Sequence, residues 1–265
     1  MLRTYKALFL QGFLIESIAK SGCMPVIHDS VELLPIFAVT AFTAGYLLYS
    51  FIAGSRILKS KMEVRLGTEK TNVYWILLQK LAGFLFLGLL PALAMLMMPV
   101  TLRQVGVSFV NIPQSLLWIG GMGAVIVLVN LMAARKPGNL AMYPQMRITR
   151  WTPKILAISS MGWMLYLLGY EFIFRGVLLF LCIPVMGVWP SIVLNVSLYA
   201  LVHLPKGPRE TIASIPMGLI LCLLTLKTGT IWVAYFSHVI LALSNEYLSI
   251  HFHPEMKLEI KSKGS

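Results

Sequence analysis

Ile155-Leu-Ala-Ile-Ser-Ser-Met-Gly-Trp-Met-Leu-Tyr-Leu-Leu-Gly-Tyr-Glu-Phe-Ile-Phe-Arg-Gly-Val-Leu-Leu-Phe-Leu-Cys182 is a run long and apolar enough to cross a hydrocarbon core of about 30 Å. Its only charged residues are Glu171 and Arg175, one helical turn apart. An ionised side chain near the bilayer centre costs on the order of 2.5 to 3.5 kcal/mol on insertion scales, so a helix that keeps two needs partners or a wet cavity. The plain reading of the pair is an i, i+4 ion pair that fixes helix packing. The functional reading is a site inside the membrane.

The rest of the chain has the same character. Of 265 residues 58% are hydrophobic and 12% charged, and the mean hydropathy is +0.80. Apolar runs in soluble α/β enzymes are strand-length pieces of about four to eight residues. Here they extend over 33–54, 73–99, 115–134, 155–182, 190–204, 211–226 and 231–250. All are expected to be helical, because lipid offers no partner for unpaired backbone groups. The chain therefore reads as an all-α polytopic membrane protein with seven to eight transmembrane helices in one bundle. The eighth would be the N-terminal segment, where Arg3 and Lys6 precede an apolar stretch broken by Gln11 and Glu16. That segment either spans or lies at the interface, and no small-residue cleavage site marks it as a signal peptide. No loop is long enough to fold alone, so residues 1–265 form one domain.

The net charge of +12 sits in short loops, which points to membrane topology and not to nucleic acid. Arg56, Lys59, Lys61, Arg65 and Lys70 mark one cytoplasmic loop; Arg135, Lys136, Arg147, Arg150 and Lys154 mark another. Alternation then places the C-terminal tail, with Lys257, Lys261 and Lys263, in the cytoplasm. Trp75, Trp118, Trp151, Trp189 and Trp232 lie near proposed span ends, where indoles anchor at headgroups. Ala41 with Gly45 and Gly120 with Ala124 are small-residue pairs suited to close helix packing. Cys23, Cys182 and Cys222 are far apart and odd in number, so they indicate neither a disulfide framework nor a thiolate metal site. His251 and His253 are expected at the headgroups, and Met95, Met97 and Met98 among packing residues.

Ionisable groups recur in the C-terminal apolar runs: Glu171 and Arg175, then His203, then His238. The N-terminal half has chiefly Lys80. A carboxylate with two imidazoles can activate a water by general-base catalysis or around a metal, and an imidazole N–H can stabilise an oxyanion.

Glu171-x-x-x-Arg175, Tyr199-x-x-x-His203 and His238, in that order on separate apolar helices, resemble the motifs of the CPBP family. These CAAX proteases and bacteriocin-processing enzymes, also called Abi, are intramembrane proteases that include the type II CAAX prenyl endopeptidases. The family pattern is Glu-Glu-x-x-x-Arg, Phe-x-x-x-His and His-x-x-x-Asn or Asp. Two positions depart from it: Tyr170 stands where the first glutamate is found, and Ala242 where the amide or carboxylate follows the last histidine. Asn245, one turn beyond Ala242, and Glu210, after Pro208, are possible auxiliaries, although Glu210 also reads as an ordinary helix start.

The resemblance implies an endopeptidase core over 155–250 that hydrolyses peptide bonds of membrane-associated substrates in contact with lipid. Glu171 would activate water, His203 and His238 would hold the water and the oxyanion, and Arg175 would orient Glu171. No cofactor is required by the sequence; a divalent metal such as zinc, if present, would sit on His203, His238 and Glu171. The expected location is the plasma membrane, the inner one of a bacterium. The alternatives are a catalytically silent scaffold of the same kind that binds a membrane partner, for example in bacteriocin immunity, and a small proton-coupled transporter.

Overall fold

The computed structural model describes residues 32–259. The expected eighth span, Cys23, Lys261 and Lys263 lie outside the described residues. All seven expected apolar segments are helical. They are α1 (Leu33–Ala53), α3 (Thr68–Met95), α4 (Ile112–Ala133), α6 (Pro153–Met186), α7 (Val188–Leu201), α8 (Pro208–Thr228) and α9 (Trp232–Phe252). Five of these, α1, α3, α4, α6 and α8, are long and apolar enough to cross a membrane; α7 is shorter and apolar. Two helices fall between the apolar segments: α2 (Arg56–Leu66), which buries no residue, and the single turn α5 (Pro137–Leu140). The basic stretch after α1 was expected as a loop, but nothing in Arg56–Leu66 breaks a helix, and Ser55 caps it by accepting from the Leu58 N–H. Strands β1 (Arg150–Trp151) and β2 (Lys257–Leu258) pair in parallel and tie the C-terminal tail to the start of α6.

α6 is the post around which the bundle is built. Its most apolar window is 83% buried, against 17% for α1 and α4, which turn most of their surface outward. Thr152 starts it by accepting from the Ile155 N–H, with Pro153 in the first turn. It ends at Gly187, whose φ of 79° lets a single residue reverse the chain into α7. Between these ends α6 crosses α3 at two glycines. A Cβ on Gly88 would sit 2.8 Å from the Gly169 Cα, so neither position admits a side chain without moving backbone. Both helices relax into π turns beside this crossing, at Leu85–Leu89 in α3 and at Phe172–Leu178 in α6.

α4 and α9 run parallel: Asn130 of α4 donates to the Leu241 carbonyl at 3.0 Å and to Ser244 at 2.7 Å, and Asn111, before α4, donates to the Thr228 carbonyl at 3.1 Å before α9 begins. This is the direction that strict alternation of spans requires. Of the two small-residue pairs, Gly45 packs as expected, since its Cβ would meet the Phe86 carbonyl, but Gly120 has nothing within 4 Å. Two of the five tryptophans are also not headgroup anchors. Trp151 is fully buried and packs with Met146, Ile148 and Ile250, and Trp75 is buried as well. Both are covered by protein, a distinction that distance from a span end does not carry.

The depth of the polar residues follows from helix lengths. Glu171 lies 18 residues into α6 and His238 lies 14 residues before the end of α9, about 27 and 21 Å from the same face of the bundle. His203 would be shallow if α7 were a full span. With 14 residues, about 21 Å, α7 is shorter than a full span, and the turn that follows it brings the His203 ring within 6.4 Å of the ring of Tyr170, the neighbour of Glu171.

Candidate functional site

The π turn sets the geometry at Glu171. Glu171 closes the α-helical part of α6 and Arg175 lies inside the π segment. Arg175 Nη1 lies 3.3 Å from Glu171 Oε2, and both side chains have no exposed surface. The guanidinium also lies over the Tyr199 ring at 4.2 Å, a cation–π contact in a desolvated setting. The widened turn is held from outside: Asn195 of α7 donates to the Phe174 carbonyl at 2.5 Å, and its own side-chain oxygen accepts from Cys222 Sγ of α8 at 3.3 Å. Cys182 and Cys222 are buried and free.

The other Glu171 oxygen, Oε1, lies 2.6 Å from His238 Nδ1. His203 Nδ1 lies 2.7 Å from the carbonyl of Tyr199, in the last turn of α7. Both partners are acceptors, so each imidazole donates from Nδ1, and in its neutral form each has an Nε2 lone pair free. The two rings line one chamber of about 510 Å³, between α4, α5, α6, α8 and α9 and closed on one side by the turn after α7. Tyr170 packs against both, 5.7 Å from the His238 ring and 6.4 Å from the His203 ring, with its hydroxyl buried and without a hydrogen-bond partner.

Glu171, Arg175, His203 and His238 are thus brought together, as the separate motifs anticipate. Glu171 is placed differently from the expectation. It is fully buried behind His238, both oxygens face partners, and it is not part of the chamber wall. The group that meets the chamber is His238. His203, taken alone, reads as an interfacial histidine near a span end; its side chain is buried, while Leu201 and Leu204 on either side of it are exposed. The tautomer of each imidazole makes Nε2 an acceptor, which suits holding water and not donating to an oxyanion.

Asn245 and Ala242 line the same chamber nearer its mouth. Glu210 does too, and it also occupies the first turn of α8 behind Pro208. It accepts from the Tyr143 hydroxyl at 3.4 Å and lies 3.8 Å from Lys206 Nζ. Burial first, and Glu210 second, push the Tyr143 phenol up, so it remains a donor. Tyr143, Asn139 and Trp163 are chamber residues that no motif indicated. Glu246, on α9 eight residues after His238, is a buried carboxylate whose place in an apolar run was the signal for it.

A metal would need three protein ligands in a catalytic zinc site. The two Nε2 atoms are suitable donors, but Glu171 has one oxygen on His238 and the other beside Arg175. Among the described residues no group of three or more His, Cys, Asp or Glu side chains is placed to hold a metal ion. The donor set as arranged does not fit one.

Fold and site together define the class: a polytopic all-α membrane protein with a buried Arg–Glu–His system facing an internal chamber. Residues 152–244, which carry all the motif residues, match the family described as type II CAAX prenyl endopeptidase Rce1-like, and the stretch is consistent with a CPBP family member. No curated protein and no solved structure matches the chain. The matched family is one of proteases, and the chain has the multi-pass, membrane-embedded character that such a site requires.

Proposed function

We propose that the chain is an intramembrane endopeptidase of the CPBP type, with residues 155–250 as its catalytic core in a single transmembrane domain, acting on membrane-associated peptide segments. The observation that carries this reading is the 2.6 Å contact of His238 Nδ1 with the buried Glu171, whose other oxygen faces Arg175, while His238 itself lines the chamber. Glu171 holds the tautomer and stabilises the imidazolium that forms, and Arg175 holds Glu171. His238 Nε2 takes a proton from a chamber water as the water oxygen bonds to the peptide carbonyl carbon. His203 Nε2 accepts the water's other hydrogen and orients it. When the tetrahedral intermediate collapses, the C–N bond breaks and His238 returns its proton to the leaving amine. One water is consumed, and a carboxylic acid and an amine are formed.

The chamber lies toward the face that carries Arg135, Lys136, Arg147 and Arg150, so the substrate enters from that side. By charge that side is the cytoplasm, with the C-terminus on it, in the inner membrane of a bacterium.

A second reading is favoured by Tyr170, an aromatic group with an unpartnered hydroxyl where the family places its first glutamate. It is a silent scaffold that binds a peptide without cleaving it. Purified protein incubated with a membrane-peptide library and analysed by mass spectrometry separates the two. Cleavage by wild type that is lost in Glu171→Gln, His203→Ala and His238→Ala supports hydrolysis. Equal cleavage by all four removes the assignment, and binding without cleavage by wild type supports the scaffold.

A further inference from the structure

A second buried polar cluster lies beside the chamber. Glu246 of α9 is 1% exposed and accepts from Trp163 Nε1 at 2.9 Å and from Ser159 Oγ at 2.5 Å, both on α6. Lys80 of α3 is 3% exposed, and its Nζ, without a hydrogen-bond partner, lies 3.8 Å over the Trp163 ring. Gly162 leaves room for this approach, since a Cβ there would meet the Lys80 Cδ at 3.1 Å. Tyr166 closes one edge of the indole in a T-shaped contact. One ring is therefore held by groups from three helices, and the part left over belongs to the chamber wall.

Burying two opposite charges with a ring between them is an expensive way to pack three helices, because apolar residues of similar volume would be as good or better. What the arrangement adds is a fixed orientation of the indole. Trp163 lies eight residues before Glu171 on α6, about 12 Å along the helix and toward the chamber mouth. Three to four extended residues cover about that distance.

We infer that Trp163, clamped by Lys80 and Glu246, is a specificity-determining wall of the chamber that takes a large apolar side chain three to four residues from the bond at His238. This rests on the proposed peptide chamber, but it concerns binding and does not require turnover. Lys80 and Glu246 do not touch the ligand; they are positioning residues that act through the ring.

The test uses dansyl-labelled, N-palmitoylated peptides of alanine and serine through which a single phenylalanine is moved, with the full chain in liposomes. Affinity is read by fluorescence anisotropy in a His238→Ala background, so that a failure of hydrolysis leaves this measurement intact. One position of the phenylalanine should tighten binding roughly tenfold over the all-alanine peptide, about 1.4 kcal/mol. Trp163→Ala should abolish that preference, so that no phenylalanine position binds more tightly than the reference peptide in the same variant. The paired variant Lys80→Met with Glu246→Gln, which leaves no uncompensated charge, should keep the thermal midpoint and still weaken the preference. A preference that survives in Trp163→Ala, or no positional preference at all, overturns the inference. The same preference in the paired variant as in the parent overturns the positioning role.

Discussion

Glu171 and Arg175 are a buried pair in which each is the other's compensation, so removing one is worse than never having had either. Arg175→Met should destabilise the protein by about 3–5 kcal/mol, read as a large fall in thermal midpoint in detergent. Arg175→Lys should restore only part of that stability, because an ammonium lacks the planar face that lies on Tyr199. Glu171→Gln keeps the shape but leaves the Arg175 charge uncompensated, so the thermal midpoint should fall as well, while peptide cleavage by the folded protein drops by roughly 10²–10⁴-fold, as expected when a general base loses its support. The charged pair was legible in the sequence because charges inside an apolar run need a reason. That Glu171 lies buried behind His238 was not, since spacing along a helix says which residues share a level and nothing about which of them another helix covers.

At the scale of elements, the site depends on how α3, α6 and α7 meet. Gly88 and Gly169 allow α3 to lie against α6 two residues before Glu171, so Gly88→Ala should cost about 1–3 kcal/mol by overpacking and should reduce cleavage. Gly120→Ala is the control. With nothing within 4 Å and a helical backbone it should be neutral or stabilise by up to about 1 kcal/mol. Asn195→Leu should cost about 1–3 kcal/mol by leaving the Phe174 carbonyl without its partner, and should lower activity through the π turn that carries Arg175. All seven apolar segments were readable, because span length and hydropathy are fixed by the bilayer. The π turns were not, for they arise where α3 and α6 press together and leave no mark in periodicity. Nor was the shortness of α7, although it reconciles the depths of Glu171 and His203. The apolar run continues through Val202, and only the fold shows that the helix ends at Leu201.

For the molecule as a whole, the arrangement is a central helix with a chamber on one side and lipid-facing helices around it. If the basic loops are cytoplasmic, Asn139→Cys at the chamber mouth should react with a membrane-impermeant maleimide only in inverted vesicles, and Thr101→Cys on the opposite loop only in right-side-out ones. The reverse pattern would invert the orientation and place substrate entry on the other side. Trp151 and Trp75, which sequence position assigns to headgroups, are instead interior, and the lesson is that an indole near a span end reports depth without saying which way it faces. The most direct test of the whole account is peptide cleavage in water enriched with oxygen-18 by purified wild type and by His238→Ala. Wild type should place one heavy oxygen in the new carboxylate, and His238→Ala should form at least about a hundredfold less product. Undiminished product from His238→Ala would contradict the account, as would product without the heavy oxygen.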